Sequence, residues 1–552
     1  MDNYFVSSCK RVKDWICRQF GQKEKKTVHH KKFADGGEVI VWETGRAGEE
    51  AASYENLFLR KEIAGFRTNI RREQSCSIKS LTRDYLYKQL LSSGEYTFDH
   101  MLVIKDPYGE APLTALALFI LEEPACVRVT TKGNLKETDF VTELPKKKEH
   151  RVPILGMYAE KANDIVIEIL DDEGNCVKSH TFTIRTKRLP KSLRNVITVK
   201  KWTDKPAYSN IMINGGVKIH TCVFDIEGKI RYYLSRKPRG YGIFPLSDGH
   251  FFYMEKYISV PSYSNPQTVE SYDMDYFGRV FRTYLTEKGV HHTAEEKAGG
   301  NILTGSNSML EHTEDCVIEI DRQTGEIVWQ LNMAEIFDET YQNMMDWCHV
   351  NSAAYYEKDR TILISLRNVH AVICVDYDTK KLRWILSDPK FWEGTKMTPY
   401  LLQPEGDVKW CYQQHAAFEI ALPDESNPQK KRIIVYDNHW AKRRKAKSFD
   451  KDPLSYVSFY DIDEEKKTVS LHKRFAGPKT RIRANGIYVP DKRRVYNMAG
   501  SYAEPVDGDG GGIFEYDYET GEVLSEFGVK PGFFRAYPFE PNVQELAEPM
   551  QV

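Results

Sequence analysis

The chain has 552 residues, which is enough for roughly two or three domains of ordinary size. Its 78 Lys and Arg residues balance 79 Asp and Glu residues, so it has no basic excess of the kind that nucleic-acid-binding proteins show. The longest apolar run, 113–121, is far shorter than the ~20 residues that a membrane-spanning helix needs. Aromatic residues make up 12% of the chain, which favours strands. We therefore expect a β-rich globular protein that contacts neither nucleic acid nor a membrane.

Residues 1–65 are predicted to form an N-terminal extension that is partly helical or flexible. Charges interrupt every apolar stretch of 1–20, whereas a secretory signal needs about 7–15 uninterrupted apolar residues. Apolar residues at helical spacing predict a short amphipathic helix over 5–20, and the charged segment 22–32 is typical of a solvated linker. The ten cysteines form no CxxC motif, which fits reduced thiols rather than a zinc ribbon. These patterns predict a cytoplasmic protein.

Residues 66–190 contain short alternating runs that predict a small β-sandwich. The segments 126–130, 164–170 and 180–186 each alternate apolar and polar residues, and the turn residues DDEGN follow the second of them. Strands of this length, separated by Gly, Asp and Pro, are typical of an all-β sandwich domain.

Residues 195–552 contain an internal repeat in which an apolar strand ends in Asp, a short turn follows and a second strand begins. The six copies are marked by Asp225, Asp275, Asp321, Asp376, Asp461 and Asp517. They recur at about 50-residue intervals, with one longer interval before the fifth copy. Periods of this size with one hairpin per unit are typical of β-propeller blades. The sequence therefore predicts an all-β protein: a six-bladed β-propeller preceded by a small N-terminal β-sandwich domain.

Histidines open a strand in three consecutive repeats. They are the pair His291 and His292, then His349, then His415. Equivalent positions of successive blades face the same axial channel, so we expect these side chains to converge. Adjacent strand residues face opposite sides, so only one member of the 291–292 pair can point inward.

Two further polar residues accompany His349. Asn351 lies two residues on, and therefore on the same strand face, while Arg367 ends the following strand. Imidazole, amide and guanidinium groups together form a donor-rich pocket that suits a tetrahedral oxyanion such as sulfate or phosphate.

Several of these segments resemble the bacterial aryl sulfotransferase (arylsulfate sulfotransferase) family. The likeness is carried by DWCHVNS, LISLRNVHAVICVD, YQQHAAFEI and PGFFRAYPFEPN, in this order, and it covers about 70–552. Members of this family are six-bladed propellers with a small β-sandwich domain, which agrees with the number of repeats found here.

The resemblance implies transfer of a sulfuryl group from a phenolic sulfate ester to a phenol, independent of 3′-phosphoadenylyl sulfate. The family's transiently sulfurylated histidine falls on His415, its HxN motif on His349 and Asn351, and its arginine on Arg367. A neutral imidazole is a fitting nucleophile for such a ping-pong reaction. The leaving phenol needs modest acid help, for which His292 and His349 are both candidates.

The family's tandem HHD motif reads HHT here, with Thr293 in the third position. This departure leaves open whether His291 or His292 faces the channel, and His292 is preferred. The resemblance implies no cofactor and no metal, and it suggests a homodimer with small phenolic partners.

Two other functions remain open. Inward-facing histidines on a propeller could hold iron, as in carotenoid-cleaving oxygenases, although Arg367 would repel a cation. The HHT motif is also compatible with a non-catalytic propeller that serves as a binding platform. Cys348 and Cys411 lie close to two histidines, but their spacing fits no zinc motif.

Overall fold

The computed structural model describes residues 28–33, 37–52, 54, 76–203, 205–216, 219–236, 241–258, 267–308, 312–342, 344–422, 426–440 and 452–540. The helix predicted over 5–20 lies outside these ranges. Neither of the two described α-helices has the length and apolarity needed to cross a bilayer.

The first sheet has seven strands and two accompanying helices. The strands are β1 (Val28–Lys32), β2 (Glu38–Trp42), β3 (His100–Lys105), β4 (Ala115–Thr131), β5 (Phe140–Ile154), β6 (Ala162–Leu170) and β7 (Cys176–Arg185). The helices are α1 (Thr44–Ala52) and α2 (Cys76–Ser92). The order is β1-β2-β3-β4-β6-β7, with β5 paired to β4, and β2 and β3 run parallel.

Strand β4 connects the two halves of this sheet. It pairs with β3 through its first residues and with β6 through its last, and the two halves contribute side chains such as Val103 and Ile165 to one buried core. Strands β3 to β7 lie within 66–190, where the sequence predicted a β-sandwich domain, whereas helix α2 of the same range was not predicted. The predicted boundary at residue 65 differs from the structure, because β1 and β2 belong to the sheet. The sequence VHHKK of β1 is too polar to have been predicted as a strand.

The remaining strands form five further sheets in the described part of the chain. They are β8 (Ile197–Lys201), β9 (Asn210–Asn214), β10 (Cys222–Asp225), β11 (Ile230–Tyr233), β12 (Gly242–Pro245), β13 (Phe251–Ile258), β14 (Gln267–Met274), β15 (Val280–Glu296), β16 (Ile302–Ser306), β17 (Cys316–Ile320), β18 (Ile327–Asn332), β19 (Val350–Tyr356), β20 (Thr361–Leu366), β21 (Ala371–Asp376), β22 (Leu382–Leu386), β23 (Gln403–Pro404), β24 (Ala417–Ile420), β25 (Lys430–Asp437), β26 (Leu454–Asp463), β27 (Thr468–Pro478), β28 (Asn485–Val489), β29 (Arg494–Ala499), β30 (Gly511–Asp517), β31 (Val523–Val529) and β32 (Arg535–Pro538). Short 3₁₀ turns lie at Lys136–Thr138, Lys191–Leu193, Met333–Glu335, Arg367–Val369, Pro389–Phe391 and Thr398–Tyr400.

These sheets have a propeller-like arrangement. Their orders are β11-β10-β9-β32, β12 through β18, β19 through β22, β23-β27-β26-β25-β24 and β28-β29-β30-β31-β8. Strand β8, from the start of this region, completes the last sheet, and β32, from the end of the chain, completes the first. This exchange of terminal strands closes the arrangement.

The repeated Asp residues form the turns that their sequence predicts. Asp321 Oδ1 accepts hydrogen bonds from the backbone N–H groups of Gln323 and Thr324, at 2.9 and 2.8 Å. Gly325 follows with a φ of 80°, a left-handed conformation that glycine adopts without steric cost. The turn chemistry was therefore predictable from local sequence.

A buried charge cluster joins the first sheet to the propeller-like region. Asp84 of α2 accepts from Arg151 of β5 at 2.8 Å and from Arg279 at 3.1 Å, and Arg279 also pairs with Asp275. All four side chains are buried. Because removing one member would leave an uncompensated buried charge, this cluster fixes α2 against the second domain.

Candidate functional site

The structure brings the predicted histidines together. His291 and His292 lie in the second half of β15, His349 immediately precedes β19, and His415 precedes β24. The ring centroid of His292 lies 4.7 Å from that of His349 and 5.9 Å from that of His415. Three distant segments of the sequence thus form one cluster of imidazoles.

Left-handed backbone conformations at two of these histidines turn their side chains toward each other. The pairing of β15 with β16 shifts register between His291 and Ala294, and His292 has a φ of 59°. His349 has a φ of 56°. A bulge of this kind re-aims a side chain out of the regular strand alternation. Sparsely populated backbone conformations at non-glycine residues concentrate at functional sites.

Hydrogen bonds assign the protons of the tandem pair. His291 Nε2 lies 2.8 Å from the carbonyl oxygen of Ser306, which can only accept, so Nε2 carries a proton. In the neutral ring His291 Nδ1 is then an acceptor, and it lies 3.2 Å from His292 Nδ1. His292 Nδ1–H therefore donates to His291, and His292 Nε2 keeps its lone pair. Burial lowers the pKa of both rings, which favours these neutral forms.

This geometry distinguishes the roles of the two residues. The ring of His292 is the one that lies beside His349 and His415, while His291 contacts His292 from behind and is fully buried. His291 thus orients His292.

His415 is held with its Nε2 atom unprotonated. Its Nδ1 lies 2.8 Å from the carbonyl oxygen of Ala484 and 3.3 Å from the amide nitrogen of the same residue. The two contacts require opposite proton positions, and we assign the shorter one, in which Nδ1–H donates to the carbonyl. Burial and then the nearby guanidinium of Arg535 hold the pKa of His415 well below its usual range. The ring is therefore a neutral imidazole with a lone pair on Nε2.

His349 has the opposite electrostatic environment. Its Nδ1 lies 2.5 Å from Glu314 Oε2 and 2.9 Å from Asp346 Oδ2. Burial lowers the pKa of His349, but the two carboxylates outweigh it and raise the pKa to about 9. His349 is therefore an imidazolium at neutral pH, beside the neutral ring of His292.

Asn351 and Arg367 are both anchored to the residues that precede His415. Asn351 Nδ2–H donates to the carbonyl oxygen of Gln414 at 2.8 Å, and Arg367 Nη2–H donates to Gln413 Oε1 at 3.2 Å. Both side chains are buried. The structure thus places an amide and a guanidinium, as the sequence suggested, next to the segment that carries His415.

Arg535, Glu314 and Tyr241 belong to the site but were not predicted as site residues, and Phe534 also contacts it. Arg535 is 1% exposed and donates to the carbonyl oxygen of Asn351 at 2.7 Å. Glu314 is fully buried between Tyr241 and the histidines. Phe534 packs its ring 5.6 Å from that of His415.

Two of these residues had a sequence signal. The segment PGFFRAYPFEPN, which carries part of the family resemblance, includes Phe534 and Arg535. Glu314 and Tyr241 lie in segments without a motif, so no sequence pattern distinguished them.

Two groups of side chains in the described residues could hold a metal ion. They are His291, His292 and Glu314, and Glu314, Asp346 and His349, each with ligand atoms within 4.8 Å of one another. Two histidines and a glutamate are a known zinc ligand set. The imidazolium of His349 next to Glu314 opposes a second cation there, because like charges repel at this distance.

The two cysteines near the histidines are poor ligands. Cys348 and Cys411 are buried, and burial raises the pKa of each thiol above its ordinary value. The thiolate is the form that binds a metal, so this environment disfavours coordination.

Family comparisons agree with this geometry. A family model described as Arylsulfotransferase (ASST) matches residues 195–535, and one described as Arylsulfotransferase Ig-like domain matches residues 102–187. The first model alone matches more than half of the chain.

Two relatives are named Arylsulfate sulfotransferase AssT. The one from Lelliottia amnigena is 22% identical over 563 residues, and the one from Escherichia coli O6:H1 (strain CFT073) is 23% identical over 566 residues. Each alignment covers 77% of this chain and 90% of the relative.

A solved structure of a Bacteroides caccae protein of unknown function has a TM-score of 0.39 at 11% identity, covering 60% of this chain and 98% of that one. A likeness this low carries no argument. Because the first family model matches more than half of its residues, the chain belongs to the arylsulfotransferase family.

Proposed function

We propose that this chain is an aryl-sulfate sulfotransferase that moves a sulfuryl group from a phenolic sulfate ester to a phenol through a sulfohistidine at His415. The observation that carries the proposal is the protonation of His415. Its Nδ1–H donates to the carbonyl oxygen of Ala484, so a neutral ring presents the Nε2 lone pair inside a cationic pocket. The names of the two relatives support the same reaction class.

The nucleophilic step follows from this arrangement. His415 Nε2 attacks sulfur, the N–S bond forms, and the S–O bond to the phenol breaks with its electron pair on the phenolate oxygen. The sulfurylated ring carries positive charge, which the hydrogen bond from Nδ1–H to the Ala484 carbonyl stabilises. A second phenol then attacks sulfur and returns the electron pair to Nε2, which gives ping-pong kinetics.

Arg367 and Arg535 supply the positive charge that sulfuryl transfer requires, and Asn351 supplies a neutral amide. Like phosphoryl transfer, the reaction passes through a loose transition state with negative charge on the equatorial oxygens. Two guanidinium groups and an amide that converge near His415 are suited to that charge, since guanidinium binds oxyanions through a planar fork.

His349 is the better proton donor to the leaving phenolate. The carboxylates of Glu314 and Asp346 keep it charged up to a pKa of about 9, whereas burial keeps His292 neutral. A proton donor must hold its proton at the working pH and transfer it to a stronger base. An imidazolium next to a phenolate meets both requirements. The acceptor phenol returns a proton to His349 in the second half of the cycle.

We also propose that the second domain has six blades. Strand β15 (Val280–Glu296) pairs with β14 mainly through its first residues and with β16 through its last. The seven-stranded sheet can therefore be divided into two four-stranded blades that share β15. This division brings the number of blades to six, which equals the number of sequence repeats. A homodimer and a cytoplasmic location stay predictions.

Release of 4-nitrophenol from 4-nitrophenyl sulfate, with and without phenol, tests the function. We expect release that depends on phenol in the wild type and is lost in His415→Ala. His472→Ala, a matched control in β27 on the outside of the cluster, should retain it. Release indifferent to phenol would indicate hydrolysis instead, and no release with any simple phenol would favour a binding platform.

A metal-dependent reaction is the second candidate, favoured by the convergence of His291, His292 and Glu314. Elemental analysis of the purified protein separates the two. Stoichiometric iron or zinc that is required for activity would support a metal-dependent reaction. Full transfer activity after chelation would exclude such a reaction.

A further inference from the structure

We propose that Glu314 is a positioning residue that fixes the protonation states of the two histidines beside His415, holding His349 as the proton donor and His292 as a neutral ring. The inference rests on the proposed sulfuryl transfer and deepens it. It adds a residue that no sequence motif indicates, acting through His349 rather than on the substrate itself.

The backbone of Glu314 is fixed from both sides. Its N–H donates to Asn307 Oδ1 at 2.8 Å, and its carbonyl oxygen accepts from the N–H of Val350 at 2.7 Å. Its φ is 55°, a conformation that costs energy for a residue other than glycine. A strained residue persists only where its surroundings over-determine it, and these two bonds connect it to the loop after β16 and to the start of β19.

The side chain of Glu314 then contacts three elements at once. Oε1 accepts from the Tyr241 hydroxyl at 2.9 Å and lies 3.7 Å from His292 Nδ1, while Oε2 lies 2.5 Å from His349 Nδ1. Tyr241 precedes β12, His292 is in β15 and His349 precedes β19. One fully buried carboxylate therefore connects both flanking histidines.

The charges around this carboxylate decide which histidine is protonated. Asp346 is the second carboxylate on His349, whereas His292 has the neutral His291 on its Nδ1. The other titratable and charged groups facing the cluster include Tyr241, Asp315, Cys348, Arg367, Arg483, Arg535 and His415. A buried carboxylate is stable only when it is paired, and the two carboxylates on His349 make it the ring that carries the proton.

The consequence for the reaction is a defined path for one proton. As the S–O bond breaks, the electron pair stays on the phenolate oxygen and His349 Nε2–H transfers its proton there, which gives neutral phenol and neutral His349. The acceptor phenol later gives its proton to the same nitrogen while its oxygen bonds to sulfur. Glu314 changes charge in neither step, and it keeps Nδ1–H in place throughout.

Glu314→Gln tests the proposal, because it keeps the shape of the side chain and removes its charge. With one counter-ion left, His349 loses its proton at lower pH. We expect the alkaline limb of kcat/KM to move down by about one to three pH units, the range over which a nearby charge shifts a pKa. The loss should be larger for donors with weakly acidic phenols, and activity should recover on the acid side of the new limb.

The control and a second variant make the test independent of folding. Glu319→Gln removes another buried carboxylate, which is paired with Lys297 away from the histidines, and should leave the pH profile unchanged. Asp346→Asn removes the other carboxylate, which raises the pKa of His349 more than Glu314 does, and should shift the limb at least as far in the same direction. The pH dependence of urea unfolding should shift in parallel, and that readout needs no substrate.

The outcomes are distinct. An unmoved alkaline limb, or a uniform loss at every pH and for every donor, would mean that Glu314 is only structural and would overturn the proposal. No transfer by the wild type would instead reject the sulfotransferase function. The unfolding profile would then still report whether Glu314 holds the proton on His349.

Discussion

Arg535 is expected to tune the acidity of the nucleophile, and Arg535→Met tests this directly. The guanidinium is 1% exposed, and after burial it is the main cause of the low pKa of His415. Methionine fills a similar volume without the charge. The variant should therefore raise the pKa of His415 and move the acid limb of kcat/KM to higher pH.

The size of the effect can be bounded. If the pKa of His415 returned fully to 6.5, about three quarters of the ring would be protonated at pH 6, giving about a fourfold loss there. Burial remains, so the shift should fall within this bound. The carbonyl oxygen of Asn351 also loses a charged hydrogen bond of 2.7 Å, which should cost about 1.5–3 kcal/mol of unfolding free energy.

The assay is kcat/KM against pH with an aryl sulfate and phenol, together with urea unfolding. Arg231→Met is the matched control, because Arg231 is also fully buried but is paired with Asp225 outside the site. It should destabilise the protein and leave the acid limb in place. An acid limb that is identical in Arg535→Met and the wild type would refute the electrostatic reasoning.

Three further predictions follow from the charges. The pKa of His349, raised to about 9, should make its stabilising contribution complete below pH 6.5 and lost as the pH rises through 9, which urea unfolding across that range measures. Arg367→Lys keeps the charge but not the planar fork, so kcat/KM should fall about 10–100-fold with an unchanged circular dichroism spectrum; an equal rate would argue against fork-like binding. Asp84→Asn removes the carboxylate between Arg151 and Arg279 and should lower the free energy of unfolding, measured by thermal denaturation, by about 3 kcal/mol. An unchanged free energy of unfolding would show that the cluster does not stabilise the contact between α2 and the second domain.

Local patterns in the sequence were sufficient to predict much of the fold. The Asp-containing turns are built from hydrogen bonds within a few residues, as at Asp321 and Gly325, so their chemistry is visible in the sequence. The propeller-like arrangement follows from their repetition. Strand β1 was not predicted, because its pairing with β2 depends on partners rather than on its own polar residues.

The site was partly predictable, because some of its residues belong to the repeated pattern of the sequence. The histidines recur at corresponding positions of the repeats, and that regularity indicated that they converge. Glu314 and Arg535 have no such regularity: their importance arises from contacts with His349 and Asn351, which lie far away in the sequence. The left-handed backbone at Glu314 and the proton positions on the rings depend on tertiary packing, and only the folded structure reveals them.

In the proposed mechanism, His415 carries the sulfuryl group between donor and acceptor. The most direct measurement is mass spectrometry of the protein after incubation with an aryl sulfate and no acceptor, under conditions that preserve acid-labile phosphoramidate-like bonds. We predict the mass gain of one sulfuryl group, mapped to the peptide that contains His415, absent from His415→Ala and lost on addition of phenol. An active enzyme that gains no mass, or gains it at another residue, would contradict the account.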